Sequence, residues 1–259
     1  MTYGISDLSI IPMRANPDDK SEMINQILFG ETYKIIKKED KFSFIELTHD
    51  KYSGWICNKQ VFTIDELKYN DVISNDNNYL VDLFSNIESD IRQTIVMGSL
   101  LHNVNSLNFD LNNKRYNFKG KYSNGFNSKD KIIEHAMMYL GSPYLWGGRT
   151  PFGIDCSGFT QIVYRLNNIN LPRDAKDQCL VGHVIDSIND SEAGDLAFFG
   201  RPKGFKTDGV ITHVGIILDN NQIIHASGKV RVDMLDEEGI FNKKKNTYTH
   251  NLKFIQQIF

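Results

Sequence analysis

Hydrophobic and polar positions alternate in short runs along the first half of the chain. Leu8-Ser9-Ile10-Ile11-Pro12-Met13, Thr32-Tyr33-Lys34-Ile35-Ile36, Phe42-Ser43-Phe44-Ile45-Glu46-Leu47 and Gly54-Trp55-Ile56-Cys57 are strand-forming runs bounded by polar turns. Residues 70–118 continue this texture through Tyr79-Leu80-Val81-Asp82-Leu83-Phe84 and Thr94-Ile95-Val96-Met97-Gly98. The pattern predicts two small all-β barrels in tandem, over residues 1–66 and 67–122, with one irregular β domain as the alternative. Lys121-Tyr122-Ser123-Asn124-Gly125 reads as a linker.

The period changes after residue 126. Ser128 is a helix N-cap candidate, and Ile132, Ile133, Ala136, Met137 and Leu140 follow at helical spacing, with Gly141 as the stop. A Gly-rich loop, Trp146-Gly147-Gly148-Arg149-Thr150-Pro151-Phe152-Gly153, leads into Cys156-Ser157-Gly158. A second helical pattern follows through Phe159, Ile162, Val163 and Leu166. Strand-like runs come last: Asp195–Phe199, His213–Leu218 and Gln222–Ala226. Residues 123–259 therefore read as a third, α+β domain, a cysteine-bearing helix followed by a histidine-bearing antiparallel sheet.

Composition narrows the function classes. With 29 basic and 32 acidic residues the net charge is −3, and 41% of residues are apolar. This suits a globular protein and gives no basic footprint for nucleic acid. Lys243-Lys244-Lys245 is read as a solvated loop. No apolar run approaches the roughly 18 residues of a membrane span. No basic segment followed by an apolar stretch opens the chain, so its expected location is cytoplasmic, or periplasmic or secreted if a leader has been trimmed. Three widely spaced cysteines, Cys57, Cys156 and Cys179, do not make a disulfide framework.

Of these, Cys156 has the context of a nucleophile. It opens a helix behind a Gly-rich loop, where the helix terminus favours the thiolate. Cys57 and Cys179 read as small buried hydrophobes. Asp219-Asn220-Asn221 is a hairpin signal that makes His213 and His225 neighbours. One imidazole can then take the thiol proton while the other orients it. His49, His102, His135, His183 and His250 read as structural. A zinc set of Cys156, His213 and His225 is disfavoured, since no second Cys or His lies at ligand spacing from Cys156. No metal and no cofactor is expected.

Tyr144-Leu145-Trp146-Gly147-Gly148, Asp155-Cys156-Ser157-Gly158-Phe159, Leu171-Pro172-Arg173, Gly194-Asp195-Leu196-Ala197-Phe198-Phe199, His213-Val214-Gly215-Ile216 and His225-Ala226-Ser227 together resemble the NlpC/P60 cell-wall peptidases. The resemblance spans about residues 128–259. It implies a papain-like catalytic domain preceded by bacterial SH3-like barrels. Cys156 would be the nucleophile, His213 the base and His225 its orienting partner, with Tyr144 at the oxyanion site. Asp155, Ser157, Trp146, Arg173, Asp174 and Ser227 would belong to the substrate pocket. The implied activity is cleavage of the γ-D-glutamyl–diamino acid bond of peptidoglycan peptides. In the subgroup that recycles free muropeptides, the first barrel caps the cleft and binds the L-alanine amine. The matching positions here are Glu31 and Tyr52. Ala175 stands where related sequences often carry a hydroxyl. A peptide-binding protein without catalysis, and a papain-like amidase or acyltransferase, are the competing readings.

Overall fold

The computed structural model describes residues 2–74, 78–104, 108–111, 114–123, 128–200 and 210–258. Asn124 and Gly125 of the expected linker lie outside them. The chain divides into two compact units, and it is mostly sheet with few helices. The first unit holds Met1–Phe126 with Trp146–Pro151 and Asn168–Asn170; the second holds Asn127–Leu145, Phe152–Asn167 and Leu171–Phe259. Among the described residues, no helix is long and apolar enough to cross a membrane.

In the first unit, strands β1 (Thr2–Ile5), β2 (Ile10–Arg14), β3 (Met23–Leu28), β4 (Thr32–Lys38), β5 (Phe42–Leu47), β6 (Ser53–Cys57) and β7 (Thr63–Ile64) form one antiparallel sheet. Its order, β3-β2-β6-β5-β4-β1-β7, is an SH3-like barrel. Alternation puts Ile11, Met13, Ile27, Tyr33, Ile45, Leu47 and Ile56 into its core. Helix α1 (Glu66–Ser74) follows, and then β8 (Tyr79–Leu80), β9 (Phe84–Glu88), β10 (Arg92–Val96), β11 (Asn108–Leu111), β12 (Lys114–Phe118) and β13 (Tyr122–Ser123). The run Tyr79–Phe84 reads as one strand but is two. It breaks at Asp82, whose carboxylate accepts the N–H of Lys121 at 2.7 Å.

Leu80, Ile87, Ile95, Leu101, Phe109 and Phe118 share a second core with Tyr3, Ile5, Phe29 and Ile64 of the barrel. Gly30 makes this close contact possible. Its φ is +82°, and a Cβ there would lie 2.0 Å from the Leu100 carbonyl oxygen.

The second unit opens with α2 (Lys129–Met138). The two-residue strand β14 (Arg149–Thr150) belongs to the first unit, and β15 (Gly153–Ile154) to the second. Helix α3 (Cys156–Arg165) is buried at every position, Cys156 and Ser157 included. Next come α4 (Ala175–Gln178), β16 (His183–Ile185), β17 (Leu196–Gly200), β18 (His213–Leu218), β19 (Gln222–Ser227), β20 (Lys229–Leu235), β21 (Gly239–Asn242) and β22 (Thr247–Gln257). The antiparallel sheet has the order β16-β22-β17-β18-β19-β20-β21. Helix α3 packs on β18 and β19. The β18–β19 turn places Asn220 and Asn221 at φ 58° and 55°, a region that Asn tolerates better than most residues.

Candidate active site

The position of Cys156 follows from how its helix begins. Asp155 is the N-cap in extended conformation, and its Oδ1 accepts the N–H of Gly158 at 2.7 Å. Arg173 fixes that carboxylate with two hydrogen bonds, 3.0 Å to Oδ1 and 2.6 Å to Oδ2, and also donates to Ser157 Oγ at 3.0 Å. Cys156 is therefore held on the first residue of a helix whose cap is itself ion-paired. Burial, reinforced by the charge of Asp155, pushes the Cys156 thiol up to about 12. The backbone N–H groups of Val214 and Ser157, with the Arg173 charge, pull the other way. The helix terminus leads one to expect a thiolate, but complete desolvation outweighs it, so the resting group is a neutral thiol.

Register brings the histidines together. His213 and Gly215 share a face of β18, and Gly215 lies against His225: a Cβ at 215 would approach His225 Cβ to 2.9 Å and Ile223 Cδ1 to 2.8 Å. The missing side chain opens the diagonal along which His213 Nε2 meets His225 Nδ1 at 2.8 Å. His225 Nε2 meets Asp233 Oδ2 on β20 at 3.1 Å, and Arg231 donates to Asp233 Oδ1 at 2.6 Å. Burial, with the charges of His250 and His225, holds His213 well below the ordinary imidazole range. Burial lowers His225 too, partly offset by Asp233. Burial alone would raise the Asp233 carboxyl; the bonds from His225 and Arg231 hold it below its usual value.

His250, on β22, reads as structural in the sequence, yet it stacks on His213 with centroids 4.2 Å apart and planes 24° apart. Burial first, and then the His225 charge, lower it to about 4. His213, His225 and His250 each place a ring nitrogen within 4.8 Å of the others, the spacing of a metal-binding set. His213 Nε2 and His225 Nδ1 are engaged with each other at 2.8 Å, and His250 Nδ1 with Thr249 Oγ1 at 2.9 Å. The cluster fits a hydrogen-bonded line better than an ion.

The other sequence-selected residues fall in both units. Tyr144, half-buried, bridges Ile154 in parallel and donates its N–H to Gly228 O at 3.1 Å. Burial first, then the nearby Cys156 and Asp155 charges, raise its hydroxyl. Ser157 and Arg173 are buried at the Asp155 cap, and Ser227 ends β19. Asp174 precedes α4, and burial raises its carboxyl despite Arg173 and Lys176. In the first unit, Glu31 is 2% exposed, receiving two bonds of 3.0 Å from Arg149 and one of 2.8 Å from Leu28 N–H. A carboxylate so committed is an internal ion-pair partner. Tyr52 packs on the barrel core, and the exposed Trp146 donates to Glu22 Oε1 at 2.6 Å.

Sequence reasoning missed Asp233, Arg231 and His250. A polar residue at alternate positions of an apolar strand, as in Val230-Arg231-Val232-Asp233, was the available signal for the first two.

Residues 141–249 match the family model described as NlpC/P60 family, and residues 13–61 match the one described as bacterial dipeptidyl-peptidase SH3 domain. The gamma-D-glutamyl-L-lysine dipeptidyl-peptidase of Bacillus subtilis (strain 168) is 38% identical over 117 residues, 44% of this chain, and the match spans 38% of that protein's length. Dipeptidyl-peptidase 6 of Lysinibacillus sphaericus is 27% identical over 88% of this chain and 92% of its own. The crystal structure of an NlpC/P60 family protein from Bacillus cereus ATCC 10987 superposes with a TM-score of 0.83 over 99% of both chains at 19% identity, a likeness of fold. The cysteine-bearing helix, the histidine-bearing sheet and both matches agree: the chain carries an NlpC/P60 cysteine-peptidase domain together with a bacterial dipeptidyl-peptidase SH3 domain.

Proposed function

We propose that the protein is a cysteine endopeptidase that hydrolyses the γ-D-glutamyl–diamino acid bond of peptidoglycan stem peptides, with free muropeptides bearing an N-terminal L-alanine as substrates. The observation that supports the chemistry is the line His213–His225–Asp233, which occupies His213 Nε2 and leaves Nδ1 as the nitrogen available to take a proton. The bond specificity rests on the motifs and on relatives named for γ-D-glutamyl-L-lysine cleavage. The helix-on-sheet layout of the second unit fits a papain-like core, and residues 67–122 are read as a second SH3-like barrel.

In this reading Cys156 gives its proton to His213 Nδ1 as sulfur attacks the γ-carbonyl, so that a thiol neutral at rest becomes nucleophilic only as the bond forms. The Val214 and Ser157 N–H groups that favour charge on sulfur assist. Tyr144 donates to the developing oxyanion. The His213 imidazolium protonates the leaving amine, a thioester remains, and water activated by the neutral imidazole releases the acid and restores the thiol.

The test is mass-spectrometric detection of L-Ala-γ-D-Glu from L-Ala-γ-D-Glu-L-Lys and from its diaminopimelate counterpart. Turnover is expected from the wild type and none from Cys156→Ala. Undiminished hydrolysis by that variant overturns the assignment. Acetylating the L-alanine amine is expected to block cleavage, and equal rates for capped and free peptides overturn the free-muropeptide reading.

A further inference from the structure

We infer that Asp233, clamped by Arg231, is a positioning residue that sets the tautomers of both histidines and so makes His213 Nδ1 the base. The inference rests on the proposed hydrolase chemistry of the same site.

The argument runs along one line of atoms. The Asp233 side chain is 8% exposed and its carboxylate is ionised, held so by the bonds from His225 and Arg231. An ionised carboxylate only accepts, so His225 Nε2, 3.1 Å from Oδ2, must carry the proton. His225 is neutral, since burial opposes its charging. Its Nδ1 is then an acceptor, and His213 Nε2, 2.8 Å away, must donate to it. His213 is neutral for the same reason, so its Nδ1 carries a lone pair. Every proton in the line points toward Asp233, and the one basic nitrogen is left at the far end. Without the carboxylate, either tautomer of His225 satisfies the His213 contact, and half of the choices place a hydrogen on the nitrogen that has to accept one.

Arg231 makes the substitution test asymmetric. It donates to Asp233 Oδ1 at 2.6 Å. In Asp233→Asn the amide oxygen turns to Arg231, which can only donate, and the amide NH2 faces His225 Nε2. That nitrogen must then accept, His225 Nδ1 gains the proton and donates to His213 Nε2, and the proton of His213 moves to Nδ1. The isosteric change therefore reverses the line, whereas Asp233→Ala only releases it.

The experiment compares wild type, Asp233→Asn, Asp233→Ala and Asp233→Asn/Arg231→Met, measuring kcat and KM on L-Ala-γ-D-Glu-L-Lys and the ring-nitrogen protonation of His213 by long-range 1H–15N NMR. Asp233→Asn is expected to lower kcat at least about a hundredfold, with KM little changed and the His213 proton on Nδ1. Asp233→Ala is expected to cost about tenfold. The double variant should recover activity relative to Asp233→Asn, because the amide is free to present its oxygen to His225. A merely structural Asp233 would make the alanine variant the worse of the two. Wild-type activity in Asp233→Asn, a larger loss in Asp233→Ala, or a His213 proton that stays on Nε2 in Asp233→Asn overturns the inference. Should Asp233→Asn not fold, Arg231→Met alone is expected to lower kcat several-fold at constant KM, and an unchanged kcat overturns it. Wild-type protein with no turnover would fail the hydrolase reading instead, and the NMR comparison still decides the tautomer assignment.

Discussion

In the first unit the Arg149 guanidinium meets both oxygens of Glu31 and donates to the Gln26 carbonyl at 2.7 Å, and His49 Nε2 lies 3.8 Å from Glu31 and 3.1 Å from Asp50, so charges of both signs are paired inside the unit. In the second, Arg231, Asp233, His225 and His213 form a line with two different ends, a cation at one and a basic nitrogen at the other. The Arg149–Glu31 pair and both histidines are buried, and Arg231 is partly exposed. A network of mutually paired charges holds its neighbours in place, and breaking it costs stability because a buried charge loses its main partner. A line with a direction can move a proton, and its integrity is read in rate. Burial of charge is thus no guide to function until the ends of the network have been traced.

The largest effect that would sharpen this contrast is in the line. Cys156→Ala should lower turnover by at least about 10⁴-fold, to background, with the unfolding midpoint within a few degrees of wild type; a parallel loss of folding would erase the distinction. The Arg149–Glu31 network should answer in stability instead. Arg149→Met leaves Glu31 buried and charged and is expected to cost about 3–5 kcal/mol in urea unfolding, while Arg149→Met with Glu31→Met should return most of it. Equal stability of the single and double variants would show that the pair is not what holds that site.

Gly215→Ala tests the gap through which the imidazoles meet. The new Cβ would intrude on Ile223 and His225, so a loss of about 1–3 kcal/mol is expected together with reduced kcat. Retention of kcat would place the His213–His225 contact outside the working line. The smallest effect concerns pH. The His250 pKa falls from 6.5 to about 4 on folding, so the unfolded state binds the extra proton between those values. Stability should therefore fall as pH drops from about 6.5 toward 4, and His250→Phe, which keeps a flat ring but cannot protonate, should make that slope shallower in thermal melts, with the lowered His102, His135, His213 and His225 supplying the remainder.

The sequence showed Cys156, His213 and His225 because each sits at the edge of a regular element: a helix start behind a Gly-rich loop, and the two strands of one hairpin. Local periodicity was enough there. Asp233 and His250 reach the same cluster through the pairing of β19 with β20 and the long β22, and strand order cannot be read from one chain's alternation. Glu31 and Arg149 are 118 positions apart and were hidden for another reason. Each lies beside glycine, and a charged residue in such a setting reads as an exposed turn. The break at Asp82 escaped because the residues on both sides are apolar, so a side-chain contact to Lys121, not a composition change, ends the strand. Position along the chain picks out the candidate reacting groups, while the groups hydrogen-bonded to them are set by tertiary pairing.

The sealed environment of Cys156 carries a consequence for the protein's chemical durability. Peroxides attack thiolates far faster than thiols, and sulfenic acid formation follows the thiolate fraction and exposure. A sulfhydryl kept neutral by its surroundings and 7% exposed offers oxidants little on either count. The Cys156 thiol is therefore guarded by its surroundings, and the two partly exposed cysteines, Cys57 and Cys179, would be expected to take oxidative damage first.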